Sequence, residues 1–213
     1  RGSPHTLPHR PRPSATSRAA ASLEDDRIVV VAAGQDGHGP EEAVTAAAVR
    51  GPGETVASVR GVSKTHGTGA SAARVFAGLD ARFEGGRLTV VTGPSGSGKT
   101  TLLHLLAGLD LPDEGEIEVC GVRMDALGRT DRAELRRRNV ALVAQQPGLI
   151  PFLSARENVE LAEAIRGREA EGAHDVLASV GLAERAGQRV SRLSAGEQVR
   201  VAVARALAAR PRL

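Results

Sequence analysis

Short β-branched runs alternate along the chain with stretches of helical spacing. Leu88-Thr89-Val90-Val91-Thr92 is an apolar run ended by a glycine-rich turn, after which Leu102, Leu103, Leu105 and Leu106 fall at helical intervals. That order predicts strand, turn, helix, with Gly108 as the C-cap and Pro112 blocking the helix from resuming. Residues 26–34 carry Ile28-Val29-Val30-Val31 and predict a strand, Gly39-Pro40-Glu41-Glu42 a turn, and the alanine-rich stretch to Val49 a short helix. Val56, Ser58, Val59 and Val62 alternate loosely enough for an edge strand over residues 55–63, followed by a Gly/Thr/Ser loop over 64–71. Residues 116–119 alternate like a half-exposed strand, residues 130–138 are charged and helical, and residues 140–144 form a short buried-strand candidate opening on Gln145 and Gln146. Ser154-Ala155-Arg156-Glu157 and Ser194-Ala195-Gly196-Glu197 are capping boxes, each opening a helix. The second helix is expected to bury Val199, Val203, Ala206 and Leu207 and to stop at Pro211, and a further helix is expected over 170–180. Strands before and helices after make the fold class α/β.

The chemistry concentrates in Gly93-Pro94-Ser95-Gly96-Ser97-Gly98-Lys99-Thr100, a complete GxxxxGK motif followed by threonine. Glycines without a Cβ let successive N–H groups turn inward toward phosphate oxygens at a helix N-terminus. Lys99 is then expected to reach the β- and γ-phosphates, Thr100 to hold Mg²⁺, and Thr101 to face the α-phosphate. The motif by itself implies a nucleotide's phosphates and Mg²⁺. The strand before and the helix after give the motif its specificity.

Composition narrows the setting without changing it. The net charge is +3, and only Lys64 and Lys99 are lysines, so no nucleic-acid partner is implied. No apolar run is long enough to cross a bilayer, and direct membrane insertion is not expected. Cys120 is the single cysteine, read as packing, and Arg136-Arg137-Arg138 as a solvated helical face. Residues 1–22 are rich in Pro, Ser, Ala and Arg, a leader expected to be disordered. The only methionine is Met124, and the chain is read as a fragment.

Four blocks resemble the ATP-binding subunits of ABC transporters over residues 55–213. They are the phosphate loop, the run 140–145 with its continuation Leu149-Ile150-Pro151-Phe152-Leu153-Ser154, the signature-like Leu193-Ser194-Ala195-Gly196-Glu197-Gln198, and the helix sequence that follows it. Residues 108–115 and the arginine triplet look most like the branch serving lipoprotein-release and macrolide-export permeases. The resemblance implies a P-loop NTPase fold with a RecA-like core, an antiparallel β lobe and a helical signature subdomain, incomplete at its C-terminus. It assigns Gln145 to Mg²⁺ and the attacking water. Ser194 and Gly196 would meet the γ-phosphate held by a second ATP-binding domain in a head-to-tail dimer. His66 falls where the family places an aromatic that stacks on adenine; a solvated loop histidine is the other reading.

The implied function is ATP binding and, in the intact parent, hydrolysis that drives a membrane permease. The implied location is the cytoplasmic face of the cell membrane, reached through that permease. A non-hydrolysing module completing a composite site and a soluble, non-transport ABC ATPase are the alternatives. In the family the Walker B aspartate, catalytic glutamate and switch histidine follow the segment at which this chain ends. Residues 23–53 read either as leader or as the tail of a preceding ABC domain.

Overall fold

The computed structural model describes residues 29–32, 45–48, 53–167 and 172–213. The leader over 1–22 and the turn over 39–42 lie outside the described residues.

Strands β1 (Val29–Ala32) and β2 (Thr45–Ala48) flank the phosphate-loop strand. The strand β1 forms where the β-branched run predicts. The alanine-rich stretch does not form the expected helix: Thr45–Ala48 pairs antiparallel with residues 89–92, and tertiary pairing overrides alanine's helix preference.

Strand β3 (Thr55–His66) is twice as busy as its sequence suggests. It lies inside a four-stranded antiparallel sheet, paired with β4 (Ala73–Glu84) on one side and with β6 (Glu114–Val119) on the other, so it is not an edge strand. Its burial does not alternate because the register shifts around residues 59–63, where the Gly61 N–H donates to Asp80 Oδ1 at 2.9 Å. The strand also continues through Lys64, Thr65 and His66, which were expected in a loop, because Thr65 and His66 find partners in Arg74 and Ala73.

Strand β5 (Leu88–Thr92) runs between β1, parallel, and β2, antiparallel, and delivers the chain to α1 (Lys99–Leu106). That helix ends in a Schellman motif: Leu109 N–H donates to His104 O at 2.9 Å, and Gly108 N–H, at φ +63, to Leu105 O at 3.0 Å. Beyond it β6 turns through Cys120 and Gly121 into β7 (Val122–Arg123). Phe83, Ile117, Val119 and Met124 close one core against Leu102 and Leu105 of α1. Cys120 packs partly buried against this core as expected, and burial pushes its thiol pKa up.

Helix α2 (Arg129–Asn139) carries the arginine triplet, which is not simply solvated. Arg136 Nη1 donates to Gly108 O at 3.2 Å and Ala107 O at 3.4 Å, covering the carbonyl end of α1. Arg137 and Arg138 pair with Glu134 and together hold its carboxyl down at about 2.

Residues 140–144 form no strand. Only Val140 is buried; Ala141 N–H donates to Leu213 O at 2.9 Å and Arg166 Nη2 to Val140 O at 2.9 Å, but a ladder needs a paired strand along its length.

The remaining helices α3 (Ala155–Ile165), α4 (Ala173–Ser179) and α5 (Ala195–Ala208) form a second lobe around Val159, Leu177, Leu182 and Val201. Part of the helix expected over 170–180 falls on residues outside the description; α4 is its described portion. Both capping boxes are complete. Helix α5 buries Val201, Ala202, Ala204 and Ala208, while Val199 and Val203 are exposed. The expectation followed the larger side chains, but close helix packing selects the face lined with alanine.

Candidate nucleotide site

The phosphate loop joins β5 to α1, and its local geometry follows from three glycines. Gly98 is the N-cap of α1 at φ 94, with no side-chain cap, whereas α3 and α5 are each capped by a serine. A Cβ at Gly98 would stand 2.5 Å from Val75 Cγ1 and 2.8 Å from Phe76 Cζ, so only glycine lets the helix press this close to β4. The first N–H groups of α1 therefore have neither an intrahelical acceptor nor a capping oxygen, and the helix dipole adds positive potential there.

Lys99 Nζ lies over the loop, donating to Gly93 O at 2.7 Å and Pro94 O at 2.6 Å, with Ser97 Oγ at 3.5 Å. Ser97 N–H closes the turn on Pro94 O at 3.2 Å. Ser95 and Gly96 form the exposed crest, and nothing stands within 4 Å of where a Gly96 Cβ would be. The Lys99 ammonium, the first amides of α1 and the exposed Thr100 hydroxyl all belong to this loop and the helix turn that follows it, a donor set that suits a polyphosphate.

His66 comes to this loop from the end of β3. Its Nε2 is 3.1 Å from Thr101 Oγ1, on the first turn of α1, and the residue is exposed. A clamp beside it holds the strand end. Lys64 Nζ, largely buried, pairs with Asp110 Oδ1 at 2.8 Å and donates to Leu111 O at 2.7 Å, while Thr65 N–H donates to Asp113 Oδ2 at 2.7 Å. Burial alone would raise the Asp110 carboxyl; the Lys64 ammonium and the Leu111 N–H outweigh it and hold the pKa below its ordinary value.

Ser194 and Gly196 belong to the second lobe, exposed at the start of α5. The two capping boxes share one pattern. Ser154 Oγ accepts from Glu157 N–H and also donates to Glu157 Oε2 at 2.7 Å, using its proton. Ser194 Oγ accepts from Glu197 N–H at 3.3 Å and also meets the Glu197 carboxylate, which the Ser194 N–H and hydroxyl together hold below its ordinary pKa. Ala195, where the signature has glycine, is the first residue of α5 and is exposed.

Gln145 is exposed in the turn after residues 140–144, and so is Gln146. Among the described residues no group of three or more His, Cys, Asp or Glu could hold a metal ion. A cation at the loop would take the Thr100 hydroxyl, phosphate oxygens and water, hard oxygen donors that fit Mg²⁺.

Sequence reasoning missed Lys64, Asn158 and Arg205. Lys64 read as loop, and its carboxylate partner is 46 residues away. Arg205 donates to Pro147 O and Gly148 O, 58 and 57 residues distant, with no local spacing to reveal it.

Comparison with known proteins fits this geometry. Residues 76–213 match the model of the ABC transporter family. A lipoprotein-releasing system ATP-binding protein LolD of Xanthomonas euvesicatoria pv. vesicatoria is 42% identical over 171 residues, covering 78% of this chain and 70% of that protein. A LolD of Xylella fastidiosa (strain Temecula1) is 40% identical over 174 residues, covering 80% and 71%. Among solved structures, a dimeric post-hydrolysis state of the ATP-binding cassette MJ0796 bound to ADP and Pi aligns at TM-score 0.64 and 31% identity, over 73% of this chain and 70% of that one. With its phosphate loop, its two-lobed fold and relatives of this kind in agreement, the chain is an ATP-binding protein of the ABC transporter family.

Proposed function

We propose that this chain binds MgATP between its phosphate loop and the signature turn of a second ATP-binding domain, and that the whole protein hydrolyses ATP to drive a membrane permease. The observation that carries this is the glycine loop that delivers β5 into α1, with Lys99 Nζ held over the loop and the first amides of α1 left without a side-chain cap.

In this reading Lys99 and the amides of residues 96–101 hold the phosphates, Thr100 and Gln145 hold Mg²⁺, and His66 stacks on the base. When bound, Mg²⁺ would neutralise charge on the phosphates. The exposed Ser194 hydroxyl donates across the dimer to the γ-phosphate, joined by the Gly196 N–H. Gln145 orients water and carries the nucleotide state toward the partner. The relatives named for lipoprotein release support a permease partner and a seat on the cytoplasmic face of a membrane. Among the described residues no helix is long and apolar enough to cross a bilayer. The turn after Gln145 ends in Phe152, 71% exposed, and we assign the permease contact there. The pairing of β1 and β2 with both sides of β5 supports reading residues 29–32 and 45–48 as part of the phosphate-loop sheet.

The test is titration of labelled ATP with Mg²⁺ against wild type and Lys99→Ala, with sedimentation to follow dimerisation and phosphate release to follow hydrolysis. Tight binding and ATP-dependent dimers in wild type, both lost in the variant, are the expected results. Equal affinity in the two proteins would overturn the assignment.

A further inference from the structure

The Gln145 turn is held at both ends, with an unbonded stretch between. Upstream, Ala141 N–H is tied to Leu213 O at 2.9 Å and Arg166 Nη2 donates to Val140 O at 2.9 Å. Among the described residues, 142–146 make no hydrogen bond through backbone or side chain. From Pro147 onward everything is attached to the second lobe. Arg205 Nη2 donates to Pro147 O at 2.7 Å and Nη1 to Gly148 O at 2.8 Å. Asn158, fully buried on α3, accepts from Ile150 N–H at 2.8 Å and donates to Ile150 O at 3.1 Å. Ser191 N–H reaches Pro151 O at 3.2 Å, and Val190 N–H reaches Leu153 O at 3.0 Å.

Two features set Arg205 apart from an ordinary packing residue. Among the described residues it has no carboxylate partner; its planar fork is spent on two consecutive carbonyls, which fixes both their position and their direction. It also lies on the helix that begins at Ser194, eleven residues or about 16 Å along one rigid rod. Burial lowers its pKa, and a half-buried cation with only carbonyl partners is a costly arrangement for filling space.

We propose that Arg205 is a positioning residue that locks the downstream arm of the Gln145 turn to the signature helix, so that a nucleotide-driven movement of Gln145 is delivered to Ser194. Residues 142–146 are the unbonded stretch between the two held arms. The proposal rests on Gln145 and Ser194 serving the nucleotide as assigned above.

Hydrogen exchange on the full chain, read by mass spectrometry, compares wild type with Arg205→Lys and Arg205→Ala, with and without MgATP. Lysine keeps the charge and the helix preference but cannot bridge two carbonyls as a fork does, so this variant tests the clamp even if the alanine protein fails to fold. Without nucleotide, residues 147–153 should exchange about tenfold faster in the variants, the scale of a lost charged hydrogen bond, while residues 95–106 exchange as in wild type. With MgATP, wild type should gain protection at 95–106 and 194–200 together. Arg205→Lys should gain it at 95–106 alone. Unchanged exchange at 147–153 in Arg205→Lys overturns the clamp, as does an increase spread evenly over all segments. Protection at 194–200 persisting in that variant overturns the coupling. If wild type shows no protection at 95–106, the nucleotide assignment fails and the coupling falls with it, while the nucleotide-free comparison still decides the clamp.

Discussion

Replacing Gly98 by alanine should damage the fold and the site at once, and the structure lets the two be separated. At φ 94 an L-residue carries backbone strain of about 1–2 kcal/mol. The added methyl would also stand 2.5 Å from Val75 Cγ1 and 2.8 Å from two ring atoms of Phe76, a packed pair at the edge of the first core. Overpacking of that kind costs about 1–3 kcal/mol, so the sum is about 2–5 kcal/mol, or roughly 4–20 °C in Tm for a chain of this size. Gly96→Ala is the control. At φ 83 it carries the same kind of strain, but nothing stands within 4 Å of its Cβ, so only about 1–2 kcal/mol is expected. Both variants should bind ATP more weakly, because both move the loop amides. Thermal melting followed by circular dichroism, with labelled-ATP titration in parallel, reads both effects. A Gly98→Ala protein that melts no lower than Gly96→Ala would refute the close approach of α1 to β4 on which this reasoning depends.

Three further outcomes are expected. Lys99→Ala should weaken ATP binding at least about tenfold, the loss of one charged contact to phosphate, measured by titration at fixed salt. Ser154→Ala and Ser194→Ala should each lower stability by about 0.5–2 kcal/mol in urea melts, but only Ser194→Ala should reduce ATP-dependent dimerisation; equal effects on dimerisation would remove the role given to the Ser194 hydroxyl. Asp110→Asn should cost about 1–3 kcal/mol at neutral pH by leaving Lys64 with poorer partners. Because the Asp110 carboxyl is held below its ordinary 3.8, its contribution is present above that pH and is lost as pH falls through the lower folded value. Wild type and variant should therefore converge in acid urea melts, and a gap that stays constant to the lowest pH would count against the clamp.

Local signals were enough for much of this protein. The strand–turn–helix of the phosphate loop, the two capping boxes and the C-cap at Gly108 are each written within a dozen residues, because caps and tight turns are satisfied by neighbours in the chain. The family itself was legible from the order of its blocks. What the chain could not disclose locally depends on partners far away. Residues 140–144 have strand composition but form no strand without a neighbour, and Thr45–Ala48 has helix composition but pairs with β5. The buried face of α5 was decided by which side met α3 and α4, and the smaller side chains went inward. Lys64 with Asp110, Arg136 with the end of α1, and Arg205 with the Gln145 turn all join residues more than twenty-five positions apart. Each is a long cation seeking oxygen acceptors, and only the packing of one element on another determines which acceptors come within reach.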